Sequence, residues 1–150
     1  MFVAQARDWT VQGVEIGQDI ARWGQKYLHM PIHIGSVEDA ALQAESFDVV
    51  VAIEVLEHVI DPRAFVNLLY HYLRPGGMFF ITTPNVYSSY YYPPQAETAI
   101  LEPADHLNLF SVDTLTILFR EFRFEKLVVE ADGPGGFQLQ VFAQKPTGRH

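Results

Sequence analysis

The most regular stretch of the chain is an almost unbroken apolar run, Phe47-Asp48-Val49-Val50-Val51-Ala52-Ile53. Such a short, β-branched run predicts a strand covered on both faces, as in a parallel sheet. Beyond it, Phe65, Leu68, Leu69, Tyr72 and Leu73 recur at spacings of three and four, which predicts a helix with one buried stripe. Asp61-Pro62 supplies its N-cap and first helical residue, and Pro75-Gly76-Gly77 its expected stop. Met78 to Thr82 reads as the next strand. Upstream, Phe2 to Trp9 reads as the tail of a helix, Thr10 to Ile16 as a strand and Asp19 to Leu28 as a helix. In that second helix Ile20, Trp23, Tyr27 and Leu28 share a stripe, and Pro31 to Gly35 follows as a brief strand. Downstream, Asn85 to Leu109 has no period and carries Tyr87, Tyr90, Tyr91 and Tyr92. Aperiodic stretches of that length are most often functional loops or disordered ones. Ser111 caps a helix holding Leu115, Leu118, Phe119 and Phe122. Phe124 to Glu130 and Phe137 to Gln144 close the chain as a hairpin. Strands alternating with helices predict an α/β fold, a doubly wound and mostly parallel sheet, with the hairpin adding an antiparallel strand.

Composition narrows the function. The 150 residues suit one domain, and 49% hydrophobic against 19% charged excludes intrinsic disorder. A formal charge of −8 without any basic run argues against nucleic acid as a partner. With no cysteine there is no disulfide framework and no thiolate chemistry. No apolar run approaches the roughly 18 residues of a membrane span, and Met1 to Trp9 lacks a signal peptide's apolar core. A cytoplasmic domain is the expectation.

In open parallel sheets ligands bind beyond the carboxyl ends of the strands. Glu15 ends the first strand, where an acid can accept from two ribose hydroxyls; a solvated surface acid fits the same position. Gly35-Ser36-Val37-Glu38-Asp39 is a polar turn after the second. After the third come Glu54, Glu57 and His58, which a helical turn would place on one face. Two carboxylates and an imidazole can hold a divalent cation or act as acid and base. The spacing alone favours a plainer reading, a capping acid beside a hydrogen-bonded structural histidine.

The segments GVEIG, GSVEDA, FDVVVAIEVLEHVIDPRAF, YLRPGGMFFITTPN and EPADHLNLFSVDTL, in this order, resemble the class I S-adenosylmethionine-dependent methyltransferases. The likeness is to the small-molecule branch that includes the ubiquinone-biosynthesis O-methyltransferases. It implies a Rossmann-like sheet of order 3-2-1-4-5-7-6 with the seventh strand antiparallel. It also implies S-adenosylmethionine as cofactor and a small-molecule acceptor, methylated on oxygen. Glu15 would hold the ribose, Ile16 would pack on the adenine, and Ser36, Val37 and Glu38 would border its edge. Ala52, Ile53 and Glu54 would line the methionine end and the sulfonium, and Glu57 and His58 would be the acid–base pair. Some relatives carry a similar Glu-x-x-Glu-His with a later histidine. By that likeness Glu54, Glu57, His58 and His106 form a candidate set for Mg²⁺.

The family's first strand and its E/D-x-G-x-G-x-G loop have no counterpart in these residues. Residues 1–150 therefore read as a methyltransferase domain that is incomplete at its N-terminus. Three outcomes are expected of a sheet lacking that strand. Its two neighbours close on each other, a second copy of the chain supplies the edge as a homo-oligomer, or the isolated chain folds poorly. The rival function is a methyltransferase-like fragment or interaction domain that has lost cofactor binding.

Overall fold

The computed structural model describes residues 1–88, 106–133 and 136–148. They fall into two compact units, Met1–Leu42 and Gln43–His150. In the first, α1 (Phe2–Gln5) precedes β1 (Gly13–Glu15), α2 (Gln18–Leu28) and β2 (Ile32–Ile34). The two strands pair in parallel, Glu15 beside Ile34. The helix expected over Phe2 to Trp9 thus stops at Gln5, and the strand expected from Thr10 is only Gly13–Glu15. The stripe Ile20, Trp23 and Tyr27 is exposed, and α2 buries Ala21 and Gly24 instead. The approach there is close: a Cβ on Gly24 would lie 2.7 Å from Ile32 Cδ1, the tip of a side chain that would have to move aside.

The second unit holds β3 (Phe47–Ile53), α3 (Pro62–Tyr72), β4 (Leu73–Pro84), α4 (Val112–Arg120), β5 (Lys126–Ala131) and β6 (Gln138–Gln144). Its sheet has the order β3-β4-β6-β5. β3 and β4 are parallel, and β6 runs antiparallel to both β4 and β5. The two sheets carry the family order 3-2 and 4-5-7-6. Among the described residues β1 and β3 belong to separate sheets, so the two strands that would flank the family's first strand do not pair with each other.

Asp61 caps α3 by accepting from the Ala64 amide at 3.0 Å, with Pro62 at the first position as expected. The helix ends at Tyr72, before Pro75-Gly76-Gly77. Those three residues lie inside β4, which begins at Leu73 opposite Phe47. Ser111 and Thr114 form a reciprocal capping box that starts α4. One face of the four-stranded sheet is dry: Ala52, Phe79, Ile81, Leu139, Val141 and Ala143 are buried there. α3 and α4 bury Phe65, Val66, Leu69, Leu115 and Phe119, and Phe79 meets Phe119 edge to face at 6.4 Å. The opposite face leaves Val51, Ile53, Met78, Val128 and Phe142 exposed. Among the described residues no helix is long and apolar enough to cross a membrane.

Candidate functional site

In the first unit, β1 ends at Glu15 and its side chain folds back on the next turn. The Gly17 amide donates to Glu15 Oε1 at 2.6 Å, which fixes the carboxylate at the strand's carboxyl end. Beside it Ile16 is 77% exposed. After β2, the Ser36 hydroxyl donates to Asp39 Oδ2 at 2.9 Å, Val37 is half-buried and Glu38 is exposed.

In the second unit, β3 ends at Ile53 and the chain reverses at once. Glu54 has φ of 52°, the left-handed region that is uncommon for a side chain of this kind. Its amide donates to the Thr82 carbonyl at 3.0 Å. Its Oε1 accepts from Thr82 Oγ1 at 2.9 Å and from Gln138 Nε2 at 2.9 Å. A single turn follows, in which the His58 amide donates to the Val55 carbonyl at 3.0 Å. Glu57 then goes inward, with its side chain 2% exposed, and its Oε2 accepts from Thr83 Oγ1 at 2.8 Å. Consecutive residues of a strand point to opposite faces. Thr82 and Thr83 thus point to opposite faces of β4, and each holds one of the two acids.

The one-face arrangement expected of Glu54, Glu57 and His58 is not what forms, because the left-handed residue turns the chain before a helix can start. Instead Glu57, His58 and His106 offer ligand atoms that all lie within 4.8 Å of one another, and Glu54 is not among them. His106 reaches the group because its segment is strapped on: the amides of Leu107 and Asn108 donate to the Glu57 carbonyl at 2.9 and 3.0 Å. Asn108 Nδ2 also donates to the Val59 carbonyl at 2.7 Å. The two imidazoles meet edge to face at 5.0 Å. Among the described residues Glu57 Oε1 is buried without a hydrogen-bond partner, 3.6 Å from His58 Nε2. A buried carboxylate oxygen needs a proton donor or a cation to offset its lost hydration. Ala52 is buried and Ile53 exposed at the mouth of the same turn.

Thr82, Thr83, Asn108 and Gln138 are the partners that sequence reasoning misses. The paired threonines before Pro84 carry a signal, two hydroxyls at the carboxyl end of an apolar strand; Gln138 carries none. Tyr90, Tyr91 and Tyr92 lie outside the described residues, whereas Tyr87 is exposed.

Parallel strands whose carboxyl ends carry these acids, closed by an antiparallel β6 inserted between β4 and β5, define the class I methyltransferase fold. A family described as "Methyltransferase domain" matches residues 3–129, and the chain belongs to it. Over 66 residues it is 38% identical to a Mycolicibacterium smegmatis protein named as a probable S-adenosylmethionine-dependent methyltransferase, covering 44% of this chain and 26% of that protein. Over 59 residues it is 51% identical to the ubiquinone biosynthesis O-methyltransferase of Xanthomonas axonopodis pv. citri, covering 39% of this chain and 25% of the relative. The matched segment thus spans about a quarter of each of these relatives. A solved S-adenosylmethionine-dependent methyltransferase from Archaeoglobus fulgidus superposes with a TM-score of 0.73 at 15% identity, covering 95% of this chain and 79% of that one.

Proposed function

We propose that the chain is an S-adenosylmethionine-dependent methyltransferase domain that methylates an oxygen of a small molecule. The observation that carries the reading is the group at the carboxyl end of β3: a clamped Glu54, a buried Glu57 and two imidazoles beside it. The O-methylation rests on the relative named as a ubiquinone biosynthesis O-methyltransferase. When bound, the cofactor supplies a methyl group on a sulfonium, open to in-line displacement by an acceptor oxygen. Glu15 and Ile16 would hold its nucleoside end, with Ser36, Val37 and Glu38 at the base edge. Ala52, Ile53 and Glu54 would line its methionine end. An acceptor hydroxyl must lose its proton during the displacement. His58, with its side chain 42% exposed, takes that proton, and Glu57 Oε1 at 3.6 Å stabilises the resulting imidazolium.

Calorimetric titration with S-adenosylmethionine tests the reading. Binding by the chain, weakened at least about tenfold in Glu15→Ala through lost hydrogen bonds to a charged group, supports it. No binding, or an unchanged affinity in the variant, overturns the assignment and favours the non-catalytic alternative.

A second reading is favoured by a Glu57 oxygen with no partner among the described residues and by the two imidazoles beside it: a divalent cation held by Glu57, His58 and His106. Such an ion lowers the pKa of an acceptor hydroxyl and orients it. Calorimetry with Mg²⁺ and Mn²⁺ should show binding that His106→Ala removes and Glu54→Gln keeps. Loss of binding in Glu54→Gln, or none in the parent, sinks this set of ligands.

A further inference from the structure

Gln138 opens β6, 84 residues from Glu54, yet its carboxamide donates to Glu54 Oε1 at 2.9 Å. The sheet register explains how. Pro84 of β4 lies opposite Gln138, and Thr82 lies opposite Gln140. Residues opposite each other or two apart share a face, so Thr82 and Gln138 both serve the face on which Glu54 stands. Gln138 is also anchored from behind. Its amide donates to Asp132 Oδ1 at 3.2 Å, and its carbonyl accepts from the Asp132 amide at 3.0 Å. The neighbouring residues are tied in too: the Asn85 amide donates to the Phe137 carbonyl at 2.8 Å, and Asn85 Nδ2 donates to the Gly136 carbonyl at 2.9 Å.

Two side-chain donors converge on Oε1 of Glu54, one from β4 and one from β6. Neither uses Oε2. A glutamate side chain without such bonds would otherwise sample several rotamers. Two bonds to one oxygen stop that swing, and among the described residues no bond is made to the second, which can meet a cationic group.

We propose that Gln138 is a positioning residue that acts through Glu54 and sets how strongly the site prefers a charged sulfonium over a neutral thioether. The proposal rests on the reading above, in which Glu54 lines the methionine end of the cofactor. A carboxylate held in place interacts with the sulfonium of S-adenosylmethionine. It has no such charge to meet in S-adenosylhomocysteine, whose sulfur is neutral. A swinging carboxylate discriminates less between the two.

The test is a double-mutant cycle on binding, with both nucleosides titrated calorimetrically and every variant melted. Gln138→Leu keeps the volume and removes the donor. It should weaken S-adenosylmethionine by about tenfold, the scale of one hydrogen bond to a charged group, and S-adenosylhomocysteine by clearly less. In the Glu54→Gln background the same change should have almost no further effect, because the group being positioned is no longer charged. Gln138→Asn combined with a normal melt checks that reach, not mere polarity, is needed, and it should behave like Gln138→Leu. A merely structural role would lower the melting temperature and weaken both nucleosides equally, and that outcome overturns the proposal. So does a Gln138→Leu effect that persists undiminished beside Glu54→Gln. If Glu54→Gln itself leaves both affinities unchanged, the placement of Glu54 fails instead. If the parent chain binds neither nucleoside, the methyltransferase reading fails with it.

Discussion

Replacing Lys145 with methionine is expected to cost the second unit about 3 kcal/mol, the sum of a carbonyl left unsatisfied and a lost helix-end charge. Lys145 follows β6, with its side chain 11% exposed, and its ammonium sits at the carboxyl end of α3. There it donates to the carbonyls of Leu73 at 2.7 Å and Tyr70 at 3.1 Å. The amides of Glu45 and Ser46 take the carbonyls of His71 and Tyr72, both at 3.0 Å, so together they satisfy the orphan acceptors of that helix end. The ammonium also lies 4.7 Å from the centre of the Tyr70 ring and 3.1 Å from Glu45 Oε1. Glu45 is 57% exposed, so that ion pair contributes only about 0–1 kcal/mol. The larger parts are two. A buried carbonyl left without a donor costs about 1–3 kcal/mol, and a partly buried cation at a helix carboxyl end contributes up to about 2 kcal/mol. At this size a loss of about 3 kcal/mol corresponds to a melting temperature lower by about 10 °C. Both tryptophans, Trp9 and Trp23, lie in the first unit, so far-UV circular dichroism in urea is the better probe than tryptophan emission. A loss under about 1 kcal/mol, the lower bound for a single unsatisfied carbonyl, refutes the reasoning. So does a Glu45→Gln variant that costs as much as Lys145→Met, which would place the energy in the ion pair.

Three further outcomes follow from the geometry. Asp61→Ala removes the cap bond to the Ala64 amide and should cost about 1 kcal/mol in urea denaturation. Gly77→Ala should destabilise by about 1–3 kcal/mol, the range of overpacking, because its Cβ would lie 2.9 Å from the Arg74 carbonyl and 3.1 Å from that of Phe47; an unchanged melt would show that β4 can shift. Burial pushes the Tyr70 phenol above its usual 10.0, Arg123 draws it partly back and Glu45 adds to the rise. The folded state therefore holds that proton more tightly than the unfolded chain. The stabilisation is complete below about pH 10 and fades as pH rises through the folded value. Urea denaturation of wild type and Tyr70→Phe from about pH 8 upward should give a constant difference that changes only above about pH 10.

The elements were legible where one local cause decides them. Phe47–Ile53 is a strand because its apolar run has no helical period, and it forms with the expected ends. Asp61-Pro62 and Ser111 start helices because capping needs only the next turn. Four features were not legible, for tertiary reasons. The aromatic stripe of α2 has the right period for a core face, but the helix lies so close to β2 that Ala21 and Gly24 take that place. The start of β4 at Leu73 depends on pairing with Phe47, which local sequence does not carry. At the site, the spacing of Glu54, Glu57 and His58 suggested one face, and the left-handed backbone of Glu54 divides them. Gln138 was silent because its partner lies 84 positions away and an amide in a strand is ordinarily a surface residue.

The position of β6 has a consequence in time. Among the described strands of this sheet it is made last, yet it lies inside the sheet, between β4 and β5. As the chain leaves the ribosome, β5 has no neighbour to pair with, and β4 keeps one ladder of amides and carbonyls open. Only when residues 138–144 emerge can both gaps close together, from a single hairpin insertion. Contacts between segments so far apart form slowly, and open strand edges are sticky meanwhile. The half-made chain therefore passes through an interval in which its most apolar strands are exposed. Released chains truncated before residue 138 and after residue 144 should show protease resistance of β4 only in the longer one.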